Sequence, residues 1–177
     1  NSISDVQNLT ETEKYGLGFH IAGMFDKVLD IENCYLQEEP SNEIRNFIRN
    51  YTIENGYSFF DLREQTGLLR NLVIRTTSTG ELMIILVFYS FDKVKIYNLL
   101  DKLISNFPQI TSLNYVINNK RNDTISDLEV FNYFGQDCIY EVMENLKFRI
   151  GPKSFYQTNS LQAYKLYSVV REFANLK

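Results

Sequence analysis

Few residues in this chain carry the chemistry of a self-contained active site. There is one histidine, His20, beside Phe19 in an apolar stretch. It reads as a core or edge histidine, because no serine or cysteine nucleophile stands in a matching context. There is no Gly-rich phosphate loop, no His-x-x-x-His and no paired cysteines. The acidic residues sit singly, where solvation accounts for them. Cys138, between Asp137 and Ile139, reads as a buried structural thiol, and Cys34 taken alone reads the same way. The segment richest in chemical options is Gly151-Pro152-Lys153-Ser154-Phe155-Tyr156-Gln157-Thr158-Asn159. It places an amide and two aromatic rings between a short apolar strand and a helix.

The elements around these residues follow from periodicity. Residues 1–14 are polar and read as a loose end. Segments 17–21 and 27–31 predict two strands joined by a turn over 22–26. Pro40-Ser41 opens a helix with Ser41 as its N-cap. Ile44, Phe47, Ile48 and Tyr51 line one face, and Asn55-Gly56 ends it. Segments 70–77 and 81–89 predict a hairpin around Ser78-Thr79-Gly80. Its second strand is apolar throughout and belongs at the centre of a sheet. Asp92 caps a second helix whose stripe is Val94, Tyr97, Leu100, Leu103, Ile104 and Phe107. A strand over 112–117 leads into a polar loop, 118–123, expected to be mobile. Strand candidates come next at 129–134, 138–142 and 146–150. A last helix, capped by Asn159 with Gln162 three residues on, presents Ala163, Leu166, Tyr167, Val170, Phe173 and Ala174 and is expected to run to Lys177. The order predicts an α+β fold: a mostly antiparallel sheet with helices on one face.

Composition narrows the function classes. Hydrophobic residues make up 44% and aromatics 14% of 177 residues, enough for one domain and an appendage. No apolar run approaches the roughly 18 residues of a membrane helix, so no membrane partner is expected. Two cysteines make no disulfide framework, which points to a reducing cytoplasm and makes the Asn-x-Ser/Thr triplets at Asn8, Asn50 and Asn122 chance matches. The net charge of −4, from 18 basic and 22 acidic residues, argues against a dedicated nucleic-acid binder but leaves room for a small basic face.

The 151–159 segment resembles the entry into the methyltransferase domain of the RNA uracil-5-methyltransferases, where a Phe-x-Gln-x-Asn motif precedes the S-adenosylmethionine (AdoMet) site. Val28-Leu29-Asp30-Ile31-Glu32-Asn33-Cys34-Tyr35-Leu36 resembles a Val-x-Asp-Ile-x-x-Cys-x-Leu segment of that family. The series continues through Leu17-Gly18-Phe19-His20 and Phe25-Asp26-Lys27-Val28. It takes in the hairpin from Gly67-Leu68-Leu69-Arg70 to Gly80-Glu81-Leu82-Met83, and then Asn114-Tyr115-Val116-Ile117-Asn118. The branch it resembles is the 23S ribosomal RNA enzymes of Bacteroides-like bacteria, with a tRNA enzyme as the alternative and a non-catalytic RNA-binding or interaction module as a different class.

The resemblance implies a covalent reaction. A cysteine thiolate adds to C6 of a flipped uracil, C5 takes the AdoMet methyl, and a carboxylate removes the C5 proton, leaving 5-methyluridine. In the family's order the nucleophile, base and AdoMet loop lie beyond Lys177. The chain is therefore expected to be a fragment, inactive alone, and Asn1 in place of an initiator Met agrees. Residues 1–150 would be a central α+β, RNA-facing domain, iron–sulfur-associated in the family. Residues 151–177 would be the junction and first helix of a methyltransferase domain otherwise missing from this chain. By the same resemblance Gln157 would contact AdoMet, and Cys34 would be the fourth ligand of the [4Fe–4S] cluster that some members carry and others lack; the other three cysteines are absent here, so no cofactor is expected in this chain alone. Phe155, two residues before Gln157 on the same side of an extended segment, either packs on substrate nucleotides or plugs the domain junction. Arg70, Arg75, Lys120 and Arg121 are candidates to face RNA.

Overall fold

The computed structural model describes residues 15–175. Its centre is a four-stranded sheet in the order β3 (Leu69–Thr76), β4 (Leu82–Phe88), β5 (Ser112–Ile117), β6 (Val130–Gly135). The outer pairings are antiparallel, and β4 runs parallel to β5. Parallel neighbours need a long crossover. Helix α2 (Lys93–Asn106) supplies it, and helix α1 (Ser41–Glu54) lies beside it on the same face.

Strand β4 has no polar side chain and is buried along its whole length. Alternation sends its residues to two different layers. Leu82, Ile84, Leu86 and Phe88 meet Ile44 and Ile48 of α1 and Ile96, Leu99, Leu100 and Leu103 of α2. Met83, Ile85 and Val87 meet Val116, Ile139 and Ile150 on the opposite face. That second layer is a hairpin, β7 (Ile139–Met143) and β8 (Leu146–Ile150), together with Ile125, Leu128 and Tyr156. The fold is thus α+β, with the helices of the central sheet on one face and a small hairpin on the other.

Local chemistry sets the ends. Gly80 turns the β3–β4 hairpin at φ 81°, with its N–H donating to the Thr77 carbonyl at 3.0 Å. The Asp92 side chain caps α2 by accepting from the Lys95 N–H. Asn159 caps α3 (Ser160–Phe173) through the Gln162 N–H, as expected. Helix α1 differs. Ser41 is its first helical residue and makes no side-chain cap bond. The Glu39 carboxylate accepts instead, from the N–H groups of Asn42 at 3.1 Å and Glu43 at 3.3 Å, placing an anion at the positive helix end. A hydrogen bond from the Asn42 side chain holds the Glu39 carboxyl below its usual range. Its contribution to α1 is therefore present above the ordinary carboxylate range and is lost as pH falls through the lowered value.

Three other expectations change. Strand β2 (Met24–Asp30) begins three residues early, because a register shift after His20 lets β1 (Gly18–Ile21) turn at Ala22-Gly23. The buried stripe of α2 includes Ile96 and Leu99, while Val94 is exposed. The sheet selects the more purely aliphatic of two overlapping helical faces. On α3 only Ala163 is buried; Leu166, Tyr167, Val170 and Phe173 are exposed. The helix ends at Phe173, and residues 176–177 lie outside the described residues, as do 1–14.

Ile85 sits on the central strand with no exposure. Ile85→Ala should cost about 3 kcal/mol of unfolding free energy, from lost transfer and the cavity left behind. Chemical denaturation followed by circular dichroism measures this.

Candidate functional site

The junction after β8 is built from backbone and held by side chains. The Gly151 N–H donates to Ser154 Oγ at 3.0 Å, and the Ser154 N–H returns to the Gly151 carbonyl at 3.1 Å. This closes a turn over Gly151-Pro152-Lys153-Ser154. The Lys153 ammonium donates to the Leu128 carbonyl. Beyond the turn exposure alternates, as in extended chain. Phe155 is 85% exposed, Tyr156 packs inward on the second-layer core, and Gln157 is exposed again. Burial raises the Tyr156 hydroxyl above its ordinary pKa, and that oxygen has no partner.

The basic candidates divide sharply. The Arg70 side chain is 1% exposed. Its Nη1–H donates to the carbonyls of Asn118 (2.8 Å) and Lys120 (2.6 Å). Its Nη2–H donates to the Asn122 carbonyl (2.9 Å) and the Asp123 carboxylate (3.0 Å). The guanidinium also lies 4.4 Å over the Phe60 ring. With every contact internal, it offers nothing to an RNA phosphate. The same bonds tie down the 118–123 loop that the sequence marks as mobile. Arg75 also points inward, to the carbonyls of Ser154 and Pro152. Burial lowers its pKa from the ordinary guanidinium value. The Lys120 ammonium pairs with the Asp127 carboxylate at 2.5 Å. Arg121, in the same loop, is exposed. Of the five residues read as facing RNA, Phe155 and Arg121 stand on the surface.

Cys34 comes after β2 and is partly buried. The Asn42 side chain of α1 grips its backbone, accepting from the Cys34 N–H at 2.7 Å and donating to its carbonyl at 3.4 Å. A [4Fe–4S] cluster takes four protein ligands, usually thiolates. The chain has two cysteines, and Cys138 is buried at the start of β7. Among the described residues no three His, Cys, Asp or Glu side chains gather as a ligand set. This chain's own donors do not fit a cluster. For AdoMet the chain offers the Gln157 amide, a donor and an acceptor on the surface. That fits one polar contact to a cofactor.

Other features escape sequence reasoning. Glu141 is 1% exposed, though the sequence read its acidic residues as solvated. Its carboxylate accepts from the Ser78 N–H and hydroxyl and from the Val142 N–H, binding the β3–β4 turn to β7. The period-two pattern of β7 was the one signal for it. A cavity of about 240 Å³ opens between β1–β2 and β3, beside His20, Arg45 and Asn71. It forms from segments far apart in the chain. His20 itself is exposed on β1. At Gly18 an added Cβ would stand 1.9 Å from the Leu29 carbonyl oxygen, so the hairpin requires glycine there. No helix among the described residues is long and apolar enough to cross a membrane.

Arg70→Ala should lower stability by about 2–3 kcal/mol, since it strips charged donors from several carbonyls at once, whereas Arg121→Ala should stay within about 0.5 kcal/mol. Thermal unfolding of the two variants checks the contrast.

No family model matches the chain. Similar proteins are nonetheless found along nearly all of it. An uncharacterised RNA methyltransferase of Porphyromonas gingivalis is 61% identical over 165 residues, 92% of this chain and 36% of the relative. One of Bacteroides thetaiotaomicron is 53% identical over 96% of this chain and 38% of the relative. Among solved structures, the Pyrococcus abyssi tRNA (uracil-54, C5)-methyltransferase in complex with S-adenosyl-L-homocysteine superposes with a TM-score of 0.69 at 27% identity. The match covers 89% of this chain and 38% of that one. The chain therefore spans a little over a third of the length of the relatives it matches, and across that third the likenesses support the RNA methyltransferase family.

Proposed function

We propose that this chain is the RNA-facing part, and the cofactor threshold, of an AdoMet-dependent RNA uracil-5-methyltransferase working in the cytoplasm. The observation that carries the reading is the continuity of likeness: 61% identity to an RNA methyltransferase over 92% of the chain. The structural neighbour supports it, because that protein acts on C5 of a uracil and was crystallised with S-adenosyl-L-homocysteine. AdoMet, when bound, supplies the methyl group. In this division residues 1–150 grip RNA, and residues 151–177 lead into the part that carries the reaction.

The chain's own residues then bind and orient. Gln157 offers its amide to AdoMet. Phe155, 85% exposed beside it, offers a ring for a base to stack on. Arg121 offers a cation to phosphate from a loop that Arg70 holds in place. The cysteine that would add to uracil C6 is not assigned to this chain. Cys138 is buried in the second layer, and Cys34 sits against α1. We accordingly propose that residues 1–177 transfer no methyl group by themselves. The net charge of −4 keeps RNA contact local to such small features.

Large-subunit ribosomal RNA is the substrate we propose, from the motif series of the sequence. Transfer RNA is the second reading, favoured by the neighbour's activity on uracil-54 of tRNA. Mass spectrometry of nucleosides from cells lacking the gene separates them. Loss of 5-methyluridine from large-subunit rRNA is expected. Loss from tRNA alone would give the second reading, and no loss from either would leave a binding module. In a polypeptide of the relatives' length that includes this chain, Arg121→Ala should lower the salt-dependence slope of RNA binding by about one unit. Filter binding across a salt series measures it.

A further inference from the structure

Arg75 stands where the central sheet meets the junction. It lies on the same face of β3 as Val73, turned from the helices and toward the second layer. Its Nη1–H donates to the Ser154 carbonyl at 2.8 Å, and its Nη2–H to the Pro152 carbonyl at 3.4 Å. Both acceptors belong to the turn immediately before Phe155. No helix or strand spans 151–159. The segment is therefore held by these two bonds, the Gly151–Ser154 pair, Lys153 on the Leu128 carbonyl and the inward Tyr156 ring.

The choice of arginine is informative. Its Nε is buried without a partner, which is an unfavourable state for a charged group. A lysine would avoid that orphaned nitrogen, but it is a point charge. The rigid guanidinium fork reaches two carbonyls two residues apart and so fixes the turn in orientation as well as position. Directly after the turn, Phe155 faces outward, Tyr156 inward and Gln157 outward.

We propose that Arg75 is a positioning residue: it clamps the 151–154 turn so that Phe155 and Gln157 are presented together, toward a nucleobase and AdoMet. It touches neither ligand. The ligand part of this inference rests on the methyltransferase reading; the clamp does not.

The test has two arms. In the chain itself, hydrogen exchange is read at the Gly151 and Ser154 amides, the two hydrogen-bonded donors of the turn. Arg75→Gln should speed both by about tenfold while β4 amides stay unchanged, and Arg75→Lys should fall between. Unchanged exchange at Gly151 and Ser154 in both variants overturns the clamp. If Arg75→Gln also speeds β4, the whole fold has loosened and Arg75→Lys decides. In a polypeptide of the relatives' length that includes this chain, calorimetry reads AdoMet affinity. Arg75→Lys should weaken it about tenfold, and Gln157→Ala should cost less in the Arg75→Lys background than in the parent. Additive losses, or an affinity within twofold of the parent, overturn the positioning role. Arg149→Gln, which breaks a surface pair with Asp137, should change neither reading. Absence of AdoMet binding by the parent polypeptide would defeat the methyltransferase reading and the ligand part of the inference, leaving exchange to decide the clamp.

Discussion

A strand with no polar side chain cannot have a wet face. Leu82-Met83-Ile84-Ile85-Leu86-Val87-Phe88 imposes that constraint, and most of the architecture answers it. One set of alternate residues requires the two helices, and the α2 crossover in turn makes β5 parallel to β4. The other set requires a second layer, which the β7–β8 hairpin and the residues after it provide. Each fully buried aliphatic side chain contributes about 2 kcal/mol relative to exposure, so leaving either face open would be severe on the scale of a domain's net stability. The junction that carries Phe155 and Gln157 is therefore part of the answer to β4. Tyr156 packs on the same cluster as Met83, Ile85 and Val87. The position of the candidate site is a by-product of core burial.

A second theme is the use of arginine inside the protein. Arg45, Arg70 and Arg75 all donate to backbone carbonyls of segments that lack helix or strand. Such segments leave carbonyls without ladder partners, and a planar group with five donors satisfies several at once. Arg45 reaches the carbonyls of Ile31 and Glu32, just before Cys34. Arg70 fixes the loop that holds Arg121, and Arg75 fixes the turn before Phe155. Three basic residues that a census would assign to the surface serve to shape it.

The fold was largely legible in the sequence because its signals are local. The β3–β4 hairpin carries its turn residues, the central strand is visibly apolar, and Asp92 and Asn159 are caps with their acceptors in place. The α1 start at Ser41 is legible too, but its cap is not, because the accepting carboxylate comes from Glu39, two residues earlier. The site was less legible, for a physical reason. Whether an arginine faces solvent or a carbonyl depends on segments about 50 to 80 residues away, as with Arg70 and Asn118 or Arg75 and Ser154. Side-chain type sets what a residue is able to do; only the tertiary arrangement sets which way it faces. Glu141 makes the same point, since its burial results from the β3–β4 turn settling on β7. Phe155 and Gln157 stood out through resemblance, and their exposure gives that resemblance a surface to act on.

The two covers of β4 also arrive at different times. Its helical cover is encoded close by, with α2 starting at Lys93, whereas Ile150 comes about 60 residues after Phe88. At roughly 5–20 residues per second, a ribosome needs about 3 to 12 seconds to make that interval. During it Met83, Ile85 and Val87 face outward on a nascent sheet. That face of β4 gains its cover only when the second hairpin has left the exit tunnel.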